Sequence, residues 1–524
     1  MSKYNTKSTK ARGSSPLKTA AVATGRTYEG HVGYAREDRA NLFLRATGAF
    51  AGQDTFYEKA GVRDAKLAEL AGKVAVNDFP WMQGFIPWLR NDGFMRSAPV
   101  LIAAEAVHAR LAAGEYDGNA GLIDSAIKRA DEPGEFLGYW QQNFGRNLPV
   151  SVKRGLAKAA KRVYSEKSLL KYDTDSHAIR FGDVLELTHP KVDGWKNDLF
   201  RYAIDRRHGH RDEERIPASL RTIANNRAVR DRVLAGRTEL LLQSDILEGA
   251  GMTWEDALSL GGPDVSKAKL WTAMIPSMGY MALLRNLRNF EQAGIPEKMA
   301  LQICEKLADP EEVAKAMQFP FRFYSAYKSV NSLMWHAALE KAVAASLSNI
   351  PALPGRNLVL IDTSGSMQTP LSEKSKIMAA EAAALFGAAT GIRSHADIWQ
   401  FASVAQKLAA PKPGHSILKY AGDIRIGAVG HGTQMREAID IAFDGHDRMF
   451  IFSDMQAYPG YRAEDICTGL PGKTLVYSFN LNSYDHTPVA GSPGRHEMGG
   501  LSDATFKMIP LIERGYAAAW PWEV

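Results

Sequence analysis

The chain has 524 residues, 45% hydrophobic and 23% charged, with a formal net charge of +6. That composition predicts a globular, multi-domain protein and excludes a disordered chain. Cys304 and Cys467, the only cysteines, lie too far apart for a disulfide scaffold, and no apolar run approaches the ~20 residues of a membrane helix.

The opening residues 1–26 carry Lys3, Lys7, Lys10, Arg12, Lys18 and Arg26 and no acid. Low apolar content there predicts a flexible basic arm. No charged n-region leads into an apolar h-region. The expected setting is therefore the cytoplasm, without a membrane, with both thiols buried and reduced.

From about residue 36 to 348 the pattern is helical. "EKMALQICEKLADPEEVAKAM" and "NSLMWHAALEKAVAASLSN" place apolar residues three and four apart. Asp309 before Pro310, with Glu311 and Glu312 next, is a helix start. Short helices over more than 300 residues predict a degenerate helical-repeat solenoid.

Within it, "VKRGLAKAAKRVYSEKSLLKY" sets Arg154, Lys158, Lys161 and Arg162 on one helix face, opposite Leu156, Ala159, Ala160 and Val163. No acid interrupts the stripe before Glu166. Lys167, Lys171, His177, Arg180, His189, Lys191, Arg206, Arg207 and Arg211 extend the basic character. Such a stripe is an electrostatic footprint for phosphates, the alternative being a plain solvated face.

"NIPALPGRN", residues 349–357, breaks the helical pattern with two prolines and a glycine. Strand and helix patterns then alternate: "NLVLID", "KSKIMAAEAAALFGAAT", "HADIWQFA", "TQMREAIDIAFD", "RMFIFSDM" and "TLVYSFNL". Apolar strands between helices predict a parallel, doubly wound α/β sheet covered on both faces. Asp362 and Asp454 fall at the carboxyl ends of two strands, where ligands bind in such sheets. Ser364, Ser366 and Thr433 complete a set of five oxygen donors. The serines lack a Gly-x-Ser-x-Gly elbow and a sequence-placed histidine base, so a nucleophile is disfavoured. Hard oxygens with few carboxylates suit a divalent metal, Mg²⁺ best.

Residues 356–515 resemble the von Willebrand factor A domain, whose metal-ion-dependent adhesion site is Asp-x-Ser-x-Ser with a distal Thr and Asp. The resemblance assigns Asp362, Ser364, Ser366, Thr433 and Asp454 to the metal. "GLAKAAKRVYSEK", "GDVLELTHPK", "WTAMIPSMGYMALLRNLRNF", "FPFRFYSAYK" and "FLRATGAFAGQDTFYEKAG" are similar to the TROVE domain of the Ro autoantigen family, here over residues 27–349, with 516–524 as a C-terminal tail. The order of the two domains also fits, in a bacterial or phage form.

That resemblance implies a mainly α fold: a ring of HEAT-type repeats followed by the A-like domain. It implies a non-catalytic ribonucleoprotein component of RNA quality control. Small non-coding Y-like RNA would bind the outer basic surface, and single-stranded 3′ ends of misfolded RNA the central hole. An exoribonuclease such as polynucleotide phosphorylase would be the protein partner. It matches Lys171, before Tyr172, and His189, in "LTHPK", to the Y RNA surface. The family's arginine four residues after the lysine is Asp175 here, leaving Arg180 or His177 as substitutes. The rival expectation is a metal-dependent protein-docking scaffold acting through the A-like domain.

Overall fold

The computed structural model describes residues 13–48, 50–209, 215–373, 375–412, 414–459, 464–515 and 518–523. Helices follow one another as α1 (Asp38–Gly48), α2 (Ala60–Asn77), α3 (Phe79–Asn91), α4 (Ser97–Ala112), α5 (Asn119–Ala126), α6 (Glu132–Phe144), α7 (Val150–Val163), α8 (Glu166–Tyr172), α9 (Phe181–Thr188), α10 (Trp195–His208) and α11 (Arg221–Leu234). Further short helices continue to Leu333–Ser346, and no strand interrupts the described residues between α1 and that helix.

The helices pack on neighbours close in sequence: α2 on α4, α5 on α7, α7 on α9 and α9 on α10. That nearest-neighbour stacking is the physics of a helical repeat, as its pattern implies. Local caps set the helix starts. Asp309 accepts hydrogen bonds from the Glu311 and Glu312 amides at 2.7 and 3.2 Å, satisfying donors that have no partner within the helix. The series closes on itself. Phe319, near its end, meets Phe50 and Phe94, near its start, edge-on at centroid distances of 5.6 and 5.9 Å.

The second half is a six-stranded sheet, preceded in the chain by the two-residue strands β1 (Gly25–Arg26) and β2 (Val32–Gly33). Its strands are β3 (Asn357–Asp362), β4 (Asp397–Phe401), β5 (Ala405–Lys407), β6 (Arg448–Ser453), β7 (Leu475–Asn480) and β8 (Arg495–Gly499). They lie in the order β5-β4-β3-β6-β7-β8, parallel throughout except for the edge pair β4–β5. Alternate residues of the central strands feed two cores: Val359, Ile361, Phe450 and Phe452 on one face, Leu358, Leu360, Met449 and Ile451 on the other. This double burial explains why these strands read as unbroken apolar runs. The helix Ala379–Arg393 packs so closely that a Cβ on Gly387 would stand 2.6 Å from Ile361, and one on Gly391 2.3 Å from Ile398.

The expected flexible arm is corrected for residues 13–26; residues 1–12 lie outside the described residues. Leu17 is buried, β1 pairs antiparallel with β2, and isolated bridges join Thr19 to Arg36 and Tyr34 to Thr487. Arg36 explains the attachment: its guanidinium is buried against Glu497 of β8, with N–O distances of 2.5 and 2.6 Å. A charge-assisted bidentate pair of this kind fixes orientation as well as position.

The tail lies on the helical half. Trp520 and Trp522 pack against Phe43 of α1 and Trp81 of α3, with centroids 5.1–6.3 Å apart. A Cβ on Gly84 would come within 2.5 Å of the Trp522 indole nitrogen. Cys467 is buried as expected, whereas Cys304 is only partly so. It sits on the helix Glu297–Ala308, facing the first turn of the helix Leu333–Ser346, where its thiol approaches the Met334 carbonyl at 3.7 Å.

A second seam joins the two halves. Arg45 of α1 bonds Glu58 at 3.1 Å and also pairs with Asp485, in the loop between β7 and β8. Lys66 of α2 spans the same two carboxylates at 2.6 and 2.5 Å. Arg63 donates to the Asn482 carbonyl at 3.2 Å. The Arg45 and Glu58 side chains are each 1% exposed. No described helix is long and apolar enough to cross a membrane.

Candidate metal centre and basic surface

The chain enters the sheet at β3, then places β4 on one side and β6 on the other. The carboxyl ends of β3 and β6 therefore flank the crevice where the winding reverses. Asp362 is the last residue of β3, and Asp454 follows the last residue of β6. Both are fully buried.

Asp362 accepts hydrogen bonds from the Ser364 amide at 2.9 Å and the Ser453 hydroxyl at 2.5 Å. The Ser364 and Ser366 hydroxyls lie 3.4 Å apart. Asp454 accepts from the Gln456 amide through one carboxylate oxygen, at 3.1 Å. Its other oxygen is buried with no hydrogen-bond partner. Thr433 is buried, and its carbonyl accepts from the Tyr458 amide at 3.0 Å. Its loop is pinned beside the serines: the Gly365 amide donates to the His431 carbonyl at 2.8 Å, and the Gln434 amide to the Ala402 carbonyl at 2.9 Å. The loop comes this close because residue 430 is glycine, with φ +93°, over Ser403.

Burial pushes the Asp362 acid above the usual carboxylate range, against the opposing hydrogen bonds of Ser364 and Ser453. Asp454 is pushed up by burial first and then by the neighbouring Asp362 charge. Two buried carboxylates without a positive partner are costly. A divalent cation removes that cost and would engage the orphaned Asp454 oxygen. The donor set, two carboxylates and three hydroxyls, is hard and oxygen-only, and fits Mg²⁺. Among the described residues no cluster of three or more His, Cys, Asp or Glu offers a site of another type. Ser453 and Gln456, which orient the two carboxylates, were not singled out by sequence. Their positions beside Asp454 are the only signal that could have found them.

The basic surface forms around α7. Val152, Gly155, Leu156, Ala159 and Ala160 are buried. A Cβ on Gly155 would stand 2.7 Å from Ile123, so the helix sits hard against α5. Arg154, Lys158, Lys161 and Arg162 are exposed on the opposite side. They differ in freedom. Arg162 donates to Asp124 and to the Asp124 and Ile127 carbonyls at 2.7–2.8 Å, so it ties down the end of α5. Lys158 makes one looser contact with Asp124, at 3.3 Å.

Lys171 is exposed at the end of α8, its ammonium 5.2 Å from the Tyr172 ring centre, while Arg129 lies 5.1 Å from the same ring. Beside them runs a cleft of about 250 Å³ lined by Gly134, Tyr164, Tyr172, His177 and Ile179. His189 is exposed, and its left-handed backbone, φ +46°, ends α9.

Arg180 must be corrected. It is buried, bonded to Asp173 at 2.8 Å and to Asp175 at 2.5 Å. It therefore shapes the loop from 173 to 180 and does not present a charge to phosphate. The reason is Asp173, seven residues earlier, which sequence reading overlooked. His177 is exposed and remains the candidate substitute. Arg206 and Arg207 are likewise engaged with Asp173 and Asp183. Arg211 lies outside the described residues.

The family model of the TROVE domain matches residues 214–386. Telomerase protein component 1 of Mus musculus is 32% identical over 124 residues, 23% of this chain and 4% of the mouse protein. The Rattus norvegicus protein of the same name is 36% identical over 83 residues, 16% of this chain and 3% of its own length. The matched stretches are thus small parts of those proteins. Among solved structures, the Ro (RSR) protein of Deinococcus radiodurans superposes with a TM-score of 0.59 at 16% identity, over 91% of this chain and 100% of that one. That likeness establishes the fold: helical repeats followed by an α/β domain. The basic surface on α7 to α9 lies before the residues matched by the TROVE model.

Proposed function

We propose that the chain is a TROVE-domain protein of the Ro type, a reading supported by its domain match and its fold, and that it binds RNA without acting on it chemically. The observation that carries this reading is the exposed stripe Arg154, Lys158 and Lys161 on α7, continued by Lys171 and His189. Duplex RNA is recognised by shape and phosphate contact, which such a stripe supplies. Lys171 and Tyr172, at the mouth of the cleft, pair a cation with an aromatic ring for an unpaired base. The ligand class is a small structured, Y-like RNA on the outer face. Single-stranded ends of misfolded RNA would pass through the closed helical circuit, with an exoribonuclease as partner. Affinity for such RNA should fall steeply between about 50 and 200 mM salt, because each neutralised phosphate releases a counterion. A filter-binding titration measures it, and salt-independent affinity would count against the phosphate surface.

The A-like domain supplies a second site. Asp362, Ser364, Ser366, Thr433 and Asp454 would hold Mg²⁺, which supplies a charge for recognising carboxylates. The orphaned oxygen of buried Asp454 favours this reading. Mg²⁺ should therefore raise the melting temperature of the unsubstituted chain, since a ligand bound only by the folded state stabilises it. Asp362→Ala should remove that response. A response to Mg²⁺ that survives in Asp362→Ala would place the ion elsewhere.

A further inference from the structure

The chain has 10 tryptophans, and all of them lie among the described residues. All but one are buried or partly buried; Trp195, the first residue of α10, is 47% exposed. An indole gains more from burial than almost any other side chain, so one left open is an exception. We infer that Trp195 is a stacking platform for an unpaired base of RNA held on the basic surface. The inference rests on the RNA reading above.

Trp195 stands at the end of the basic stripe. The Lys196 ammonium donates to the Lys161 carbonyl at 2.5 Å, which ties the start of α10 to the last turn of α7. The same ammonium lies 5.3 Å from the centre of the indole ring. The loop that leads in, residues 189–194, brings His189 and Lys191, both exposed, and a single acid, Asp193. Gly194, at φ +57°, makes the turn that starts the helix.

The rest of α10 fixes the platform. Leu199, Phe200 and Ala203 are buried, and Phe200 meets the Tyr164 ring edge-on at 6.2 Å. The indole is thus carried on a helix seated in the core. Little order has to be gained when a base stacks on it.

The cations of α7 suit the phosphates of a duplex, whose own base faces are hidden in the stack. An aromatic ring at the edge of that stripe has a partner only where a strand leaves the stem. Stacking then accepts any base, because every base offers a π-face, and the neighbouring ammonium groups hold the adjoining phosphates. Trp195 therefore distinguishes a stem that continues into single strand from one that ends blunt. The cationic surroundings favour RNA over an apolar protein surface as the occupant.

The test sets the full chain, Trp195→Ala and Trp195→Phe against one small RNA hairpin in three forms: blunt, with a single-stranded tail, and with an abasic tail that keeps only the phosphates. The unsubstituted chain should bind the tailed hairpin about tenfold more tightly than the abasic one. Trp195→Ala should lose that difference and keep its affinity for the blunt hairpin, and Trp195→Phe should recover most of it. Acrylamide quenching gives a second readout, since the exposed indole is the one it reaches most readily; the tailed hairpin should shield it and the blunt one should not. A Trp195→Ala variant that binds all three forms as the unsubstituted chain does overturns the platform and leaves the basic surface standing. Equal loss on blunt and tailed hairpins also overturns it, by placing Trp195 against the duplex. Failure of the unsubstituted chain to bind any hairpin overturns the RNA reading and the platform together.

Discussion

Reversing Lys158, Lys161 and Lys171 to Glu should lower RNA affinity by about tenfold per residue, about a thousandfold for the three, enough to abolish retention on an RNA column. Each lysine is exposed. Lys158 makes only a loose pair with Asp124, of the kind worth little in stability. The triple variant should therefore keep its fold, which circular dichroism and the melting temperature will show. Removing three phosphate contacts should also flatten the log–log salt dependence by about three units of slope. Arg162 is the informative contrast. It holds two backbone carbonyls and Asp124, so Arg162→Ala should loosen α5 and lower stability. Unchanged retention of the lysine triple variant would remove the basic stripe from the account.

Glu58→Ala should destabilise the folded chain by about 3–5 kcal/mol, the usual cost of leaving buried charge uncompensated. Glu58 serves Arg45, Lys66 and Tyr28 at once. Its loss leaves the Arg45 guanidinium, whose side chain is 1% exposed, to be neutralised by the half-exposed Asp485 alone, and takes away the carboxylate that ties Arg45 and Lys66 together. The same network sets an acid limit. Burial alone would raise the Asp485 acid, but Arg45 and Lys66 outweigh it and hold it down at about 2. Glu58 is lowered as well, burial again being outweighed by Arg45 and then Lys66. A depressed folded-state pKa adds stability above the unfolded value and loses it as pH falls through the folded one. For Asp485 that window runs downward from its ordinary value of 3.8 to about 2. Urea unfolding at pH 7 and across that acid range measures both effects. A midpoint unmoved in Glu58→Ala would mean that the seam is not held by these charges.

Much of the site was legible because its signals are local. The runs "NLVLID" and "RMFIFS" are strands buried on both faces, and a strand end fixes where the next carboxylate goes. Asp362 and Asp454 could therefore be placed together from pattern alone. The helical half was legible as a class, because its spacing of three and four residues is repeated in each short segment. What escaped the sequence depends on partners distant along the chain. The hairpin at residues 25–33 has strands of two residues, too short for alternation to show. It exists because Arg36 finds Glu497, 461 residues away. β8 reads "RHEMG", a polar run whose His496 and Glu497 are buried. Arg180 looked like surface charge because nothing local says that Asp173 folds under it. Arg154, Lys158 and Lys161, by contrast, lie on the exposed side that helical periodicity assigns them.

The most direct test of RNA binding is to purify the full chain from its native host at low salt, extract any nucleic acid and sequence it. The account predicts one dominant small structured RNA, lost when Lys158, Lys161 and Lys171 are reversed. Protein free of nucleic acid under those conditions would contradict it.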